Sequence, residues 1–387
     1  MANLHQRFIQ IIFLTFLIGN SVFTPNIHAE SFVIESADHK NSLSFSFISQ
    51  LRLIYEHLDR RVNIAADDKF KMESRRIRFI FGGTILDSEL SYKLQLSIAP
   101  GSLELLDIYF NYKFKSGLQL RYGQFKTPFT SYRMNPFKLL HFSDWALVSK
   151  YFGAERQMGL AAHNGYNRDQ NKNYIVGIFT GANARSSHGI GMAEIFDTEI
   201  ANPSDLTDPG PSAEFHPEIF VYLSHAGSFS QGIRHGYKIC FSAAWDFDPA
   251  QREDFGGRFA PEFYYYYKDI SFFSAYYWGL AEIRADKSRP ALSGYIVELA
   301  YRISAFTEIS LRYAGVETDS EFRRRYEQYH LAEPPRLIYD RELTAGLNID
   351  LLEKSLVWQN DFSWLKTTDE FETRDNYRVR SQLQLEF

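Results

Sequence analysis

The sequence predicts an all-β fold: a transmembrane antiparallel β-barrel of 16 strands with one long loop folded inward. Three observations carry that expectation. Apolar and polar residues alternate with a period of two through most of the chain after residue 42, as in strands with one apolar and one polar face. Aromatic residues make up 16% of the 387 residues, with 34 Phe and 24 Tyr, which suits aromatic girdles at two membrane interfaces. Short and long connections alternate between the candidate strands, as they do when one end of a barrel faces a periplasm and the other faces outward.

The elements follow in order. Met1–Ala29 reads as a signal peptide: Arg7 supplies the positive start, Phe8–Ile18 the apolar core, and Ile27-His28-Ala29 a cleavage site. That core is too short to cross a membrane as a helix, and no run of 18 apolar residues follows it. Residues 30–42 are polar and without period, an N-terminal arm. The barrel is expected over residues 43–387. Leu43, Phe45, Phe47, Leu51, Leu53 and Tyr55 alternate with Ser44, Ser46, Gln50, Arg52 and Glu56. Ile77, Phe79 and Phe81 alternate with Arg76 and Arg78, and Leu90–Ile98, Leu106–Phe114 and Leu118–Tyr122 follow the same rule. Eleven further strands are expected near 155–163, 173–180, 215–226, 235–247, 258–268, 270–280, 292–303, 305–315, 337–350, 354–366 and 375–387. Pro261 has no N–H and belongs at a strand start. In the last strand, Tyr377, Val379, Leu383, Leu385 and Phe387 share one face, and Arg378, Arg380, Gln382, Gln384 and Glu386 the other.

The connections are tight near Leu86-Asp87, Ser116-Gly117, Lys268-Asp269, Ile303-Ser304 and Leu352-Glu353. They are long at Arg60–Lys71, Phe125–Ala154, Gly181–Ser212 and Val316–Arg336, with Pro100-Gly101 a short exception among the outer ones. Phe125–Ala154 carries Lys126, Arg133, Lys138 and Lys150 among Phe129, Tyr132, Phe137, Phe142 and Trp145. Aromatics this dense are expected to be buried, either by folding into the barrel or at a subunit interface.

Several chemistries are excluded or weak. The formal net charge is -5, which gives no reason to expect nucleic acid as a partner. Cys240 is the single cysteine, so neither an internal disulfide nor a Cys-rich zinc site is available. Gly189-Ile190-Gly191 begins a dinucleotide-like pattern without its third glycine. His216, His225 and His235 are not at metal-ligand spacing and read as interface or lumen residues. No metal or cofactor is expected.

The polar phase places Arg52, Arg76, Arg78 and Lys93 on the lumen side of the first three strands, with Lys113 and Arg121 farther round. Closing the barrel sets the last strand beside the first, so Arg378 and Arg380 extend the same wall. Guanidinium forks suit oxyanions. The same residues also serve generic wall charge paired with Glu56, Asp107 and Glu386, and both readings stay open.

The run Leu120-Arg121-Tyr122-Gly123-Gln124-Phe125-Lys126-Thr127-Pro128-Phe129 resembles the "G-x-F-K-x-P-F" segment of the phosphate-selective porin O and P family. Phe142–Val148, Glu155–Leu160 and Arg75–Gly83 resemble further segments of it, and Phe387 fits its ending. The resemblance implies a 16-stranded barrel in the outer membrane of a Gram-negative bacterium, a homotrimer with inward loops and basic residues that attract anions. Family members often carry a Glu shortly after the P-F, where this chain has Ser131-Tyr132-Arg133, so the family's phosphate ligands do not transfer one by one.

The expectation is therefore a passive porin for small hydrophilic solutes in outer-membrane lipid, biased toward anions such as phosphate. Arg52, Arg76, Arg78, Lys93, Arg121, Lys126, Arg378 and Arg380 are its candidate anion contacts. A non-selective or cation-preferring pore, a barrel lipase and a closed structural barrel are the alternatives.

Overall fold

A computed structural model describes residues 32–59, 67–86, 89–99, 102–154, 156–166, 171–180, 217–229, 234–247, 255–281, 291–319, 337–369 and 373–387. A short strand, β1 (Phe32–Glu35), comes first. Sixteen barrel strands follow: β2 (Ser42–Leu58), β3 (Asp67–Ile85), β4 (Leu90–Ala99), β5 (Ser102–Lys113), β6 (Gln119–Lys126), β7 (Arg156–His163), β8 (Lys172–Phe179) and β9 (Glu218–Ser228) form the first half. The second half is β10 (His235–Asp246), β11 (Phe255–Tyr267), β12 (Ile270–Ala281), β13 (Ala291–Arg302), β14 (Thr307–Thr318), β15 (Leu337–Leu352), β16 (Leu356–Asp369) and β17 (Thr373–Glu386). Each pairs antiparallel with the next, and β17 pairs back onto β2 from Tyr377↔His57 to Glu386↔Ile48. Closure leaves no unpaired edge in the ring, which backbone polar groups require in lipid.

Burial is inverted relative to a soluble protein. On β2, Leu51 and Leu53 are 48% and 41% exposed, while Arg52 between them is 3% exposed. On β17, Leu383 and Leu385 are exposed and Arg380, Gln382 and Gln384 are buried. The alternation read from the sequence thus sorts apolar side chains to the lipid and polar ones to the interior. At the periplasmic rim, Phe45, Phe47, Phe79, Phe81 and Phe387 interlock on the outer face, with neighbouring ring centroids 5.2–6.3 Å apart. Phe387 also closes the seam by exchanging backbone hydrogen bonds with Phe47 at 2.8 and 3.1 Å. The tight turns use left-handed positions: Gly117 (φ 89), Lys268 (φ 50), and Glu353 and Lys354 (φ 41 and 66).

Three expectations need correction. The N-terminal arm is not without structure. Phe32–Glu35 pairs with Leu43 and its neighbours, taking the place beside β2 that β17 vacates after Phe387. Four residues are too few for a periodic signal. β3 begins at Asp67, so the first outer connection is shorter than Arg60–Lys71. Pro261 lies in the middle of β11 rather than at its start. It sits opposite Phe241 of β10, and pairing with β12 is interrupted at Ala260 and Pro261, which accommodates the missing donor. The signal segment Met1–Ala29, Gly189-Ile190-Gly191, His216 and the Pro100-Gly101 connection lie outside the described residues.

Candidate functional site

The connection between β6 and β7, here L3, folds into the barrel. Its departure point is visible in the strand pairing. β5 pairs with β6 only as far as Gln124, whereas β6 and β7 stay paired to Lys126↔Arg156. The end of this hairpin therefore leaves the wall. Gly123 sits at the parting with φ 133, and a Cβ there would lie 2.2 Å from the Ile108 carbonyl oxygen; only glycine fits.

L3 contains α1 (Ser131–Met134), a 3-10 turn (Phe137–Leu139) and α2 (Val148–Phe152). Phe129, Tyr132, Phe137 and Phe142 are all buried, as are Val148 and Phe152. Of the two ways to bury the loop aromatics, the inward fold is the one found.

The far wall holds L3 through carboxylates that accept its N–H groups. Glu262 accepts from the Ser131 and Tyr132 N–H at 2.6 and 3.0 Å. Asp361 accepts from Ser143 N at 3.0 Å and Ser143 Oγ at 2.5 Å, and Glu342 from Leu147 N at 2.8 Å. Glu298 accepts from the Tyr132 hydroxyl at 2.8 Å. Arg312 lies between Glu298 and Glu342 and pairs with both. The acidic residues of β11, β13, β15 and β16 are thus engaged with the loop and with Arg312.

The near wall is basic, and it holds L3 mainly at Asp144, with Arg52 also donating to the Ser143 carbonyl at 2.6 Å and Glu386 pairing with Lys138 of L3 at 2.6 Å. Asp144 of L3 lies 3.1 Å from Arg52, 3.2 Å from Arg75, 3.3 Å from Arg76 and 4.0 Å from Arg380. Burial pushes the Asp144 carboxyl up, but Arg76, Arg75, Arg52 and Arg380 outweigh it and hold it well below the usual carboxylate range. Burial pushes the Arg133 guanidinium down to about 10 despite Asp144, and it still carries its charge near neutral pH. Trp145 and Phe137 form the apolar floor of this cluster. Arg133 stands 4.2 Å from the Trp145 ring, Arg76 4.9 Å from it, and Arg78 4.8 Å from Phe137.

The eight residues singled out from the sequence fall into two groups. Five are ion-paired. Arg52 and Arg76 pair with Asp144; Arg52 also donates to Gln382 at 2.9 and 2.7 Å, and Arg76 to Gln50 at 2.8 Å. Lys93 pairs with Asp107 at 2.9 Å, Arg378 with Glu56 at 2.7 Å and Arg380 with Asp361 at 2.7 Å. Three have no ion pair among the described residues: Arg78, Arg121 and Lys126. Arg78 leaves its buried Nε unpartnered. Arg121 is boxed by Tyr109 and Tyr166, both 4.1 Å away, and donates to Asn111 at 3.4 Å. Lys126 donates to the Arg133 and Asn135 carbonyls at 2.8 and 3.2 Å.

Sequence reasoning missed Arg156 and Asp144. By strict alternation Arg156 belongs with Met158 and Leu160, which are exposed to lipid. Because the hairpin has left the wall, that face turns onto the inner surface, and Arg156 pairs with Asp107 at 2.6 Å. The signal was present in the length of L3, not in the phase. His225 is expected at an interface or in the lumen. It lies on the outer face in edge contact with Tyr237 at 6.0 Å, while His235 meets the Tyr265 hydroxyl at 3.1 Å.

A closed 16-stranded barrel with an inward third loop, lipid-facing apolar residues and an aromatic rim is a porin-type β-barrel of the outer membrane. Residues 49–200 match the profile of the family described as phosphate-selective porin O and P, so the resemblance read from the sequence is borne out over that span. No curated protein is matched by sequence. Solved structures share the fold at low identity. The outer membrane channel DcaP of Acinetobacter baumannii has 11% identity and a TM-score of 0.57, covering 92% of this chain and 99% of its own. Pseudomonas putida OprB has 11% identity and a TM-score of 0.59, covering 90% and 95%. An anion-selective porin from Comamonas acidovorans has 12% identity and a TM-score of 0.57, covering 90% and 100%.

Proposed function

We propose that the protein is a passive channel for small hydrophilic solutes whose constriction favours anions, phosphate among them. One observation carries the reading: the two signs of charge are used differently at L3. The carboxylates Glu262, Glu342 and Asp361 are occupied by loop N–H groups. Arg78, Arg121 and Lys126 have no ion-pair partner among the described residues. Uncompensated cations in a low-dielectric constriction set the sign of the permeating ion. The overall charge of -5 does not decide this, because distant exposed charges are screened within a Debye length. The family match and the anion-selective porin from Comamonas acidovorans support the same reading. Assembly as a trimer in outer-membrane lipid is part of it and rests on the family resemblance.

Ion substitution in single-channel recordings tests it. Conductance should change little from KCl to LiCl and fall strongly from KCl to potassium acetate. The reverse ordering contradicts the proposal, and no conductance at all points to a closed structural barrel.

A further inference from the structure

Below L3, on the periplasmic side, lies a cavity of about 1210 Å³. It is bounded by the underside of the loop, from Asn135 to His141, and by the inner wall, with β10 to β13 facing β14 to β17 across it. Its chemistry differs from that of the constriction. Tyr264 and Tyr266 occupy successive inward positions on β11, with ring planes 15° apart and centroids 6.4 Å apart. Phe273 backs Tyr264 at 4.5 Å and is itself covered by Tyr132 of L3, stacked on it at 5.1 Å, so Tyr266 is the more open ring of the strip. Cations stand over these rings: Arg234 lies 4.6 Å from Tyr266 and Lys238 5.9 Å from Tyr264. Arg234 is exposed to the cavity and has no ion pair among the described residues. The acids nearest this strip are engaged with L3 and Arg312: Glu262 with the Ser131 and Tyr132 N–H, Glu298 with Tyr132 and Arg312, and Glu308 with His141; across the cavity Glu386 pairs with Lys138, and Asp350 accepts from Lys354 N.

We infer that this vestibule is a second binding station, in which Arg234 and Lys238 take a carboxylate while Tyr264 and Tyr266 take an adjoining planar ring; its ligand class is the aromatic carboxylates. An inorganic oxyanion needs donors and charge but gains nothing from a strip of tyrosine faces. A neutral sugar uses the rings but leaves Arg234 without a counter-charge. A ring bearing a carboxylate uses both, because stacking and cation contact act on adjacent atoms of one rigid ligand. Rigidity also keeps the entropy cost of binding low. The inference rests on the lumen being an anion path.

Benzoate, acetate and phenol separate the contributions, each added to both sides of a bilayer holding the full-length channel in KCl. Benzoate should block chloride current with a half-blocking concentration about fivefold or more below those of acetate and phenol. Tyr266→Ala should bring benzoate to within about twofold of acetate, and Arg234→Gln should bring benzoate to within about twofold of phenol, with the zero-current potential in a KCl gradient changed little in either. That unchanged potential also certifies a folded pore. Equal block by benzoate and acetate in the wild type overturns the aromatic part, and phenol blocking as strongly as benzoate overturns the cationic part. Both variants retaining the full benzoate preference moves the site elsewhere and overturns the assignment. A cation-selective wild type defeats the underlying reading of the lumen instead, and the zero-current potential reports that separately.

Discussion

Asp144→Asn changes one atom and should be felt twice. The carboxylate sits among Arg52, Arg75, Arg76 and Arg380 at 3.1 to 4.0 Å, and it stays ionised at any working pH because its pKa is held well below the usual range. Removing it adds one net positive charge to the constriction. For an ion about 7 Å away in water-like surroundings, that charge is worth ~0.6 kcal/mol, or ~0.3 after screening in 0.1 M salt. The effect has opposite sign for chloride and potassium, so the permeability ratio should rise about threefold toward anions. The same substitution weakens the near-wall anchor of L3. Losing one partner of a buried ion pair costs about 3–5 kcal/mol when nothing replaces it. Here much is replaced: Arg52 keeps Gln382 and the Ser143 carbonyl, Arg76 keeps Gln50, and Arg380 keeps Asp361. The anchor should therefore lose about 1–2 kcal/mol, seen as noisier open-channel current. The β-ladders do not involve Asp144, so the heat-modifiable barrel on gels should persist. A ratio that stays put, or moves toward cations, refutes the claim that these charges face the permeation path.

Other perturbations reach other parts of the account. Arg78→Ala, which breaks no ion pair, should lower the anion preference by about threefold without added noise; Arg378→Ala, at a more exposed and better screened position where Lys71 also faces Glu56, should shift it less. Gly123→Ala forces a side chain against the Ile108 carbonyl at a positive φ, and a cost of about 1–3 kcal/mol should appear as less barrel surviving a temperature series on gels. His141 anchors the L3 elbow: its Nδ1 lies 2.7 Å from Glu308, and its carbonyl accepts from Asn348 and Ser310. Burial lowers the His141 pKa, but Glu308 outweighs burial and raises it. The ion pair is therefore fully formed at low pH and is lost as pH rises through the raised value. Protease cleavage within L3 should increase from about pH 6 to about pH 9, and His141→Gln should flatten that dependence. Deleting Phe387 removes the ring packed on Phe45 and Phe47 and the hydrogen bonds that close the seam; folded barrel in the outer membrane should fall while export continues.

The strands were legible because their cause is local. Alternate residues face lipid and lumen, so Leu51, Arg52 and Leu53 declare their sides without knowledge of the partner strand. The wall shared by Arg52, Arg76, Arg378 and Arg380 followed from barrel closure alone. What these arginines bind was not legible. Asp144 meets Arg52 and Arg76 from 92 and 68 positions away in the chain, inside a loop with no period. The alternation rule also failed at Arg156, because it assumes the strand stays in the wall, and the β6–β7 hairpin leaves it after Gln124. β1 escaped notice because four residues give too little pattern.

The zero-current potential of the wild-type channel across a planar bilayer with a KCl gradient tests the central claim most directly. A sign showing chloride more permeant than potassium is the result predicted from Arg78, Arg121 and Lys126 lacking acidic partners beside an acidic wall already engaged with L3. A potential of the opposite sign would mean that the carboxylates govern the path, and the account of this constriction would be wrong.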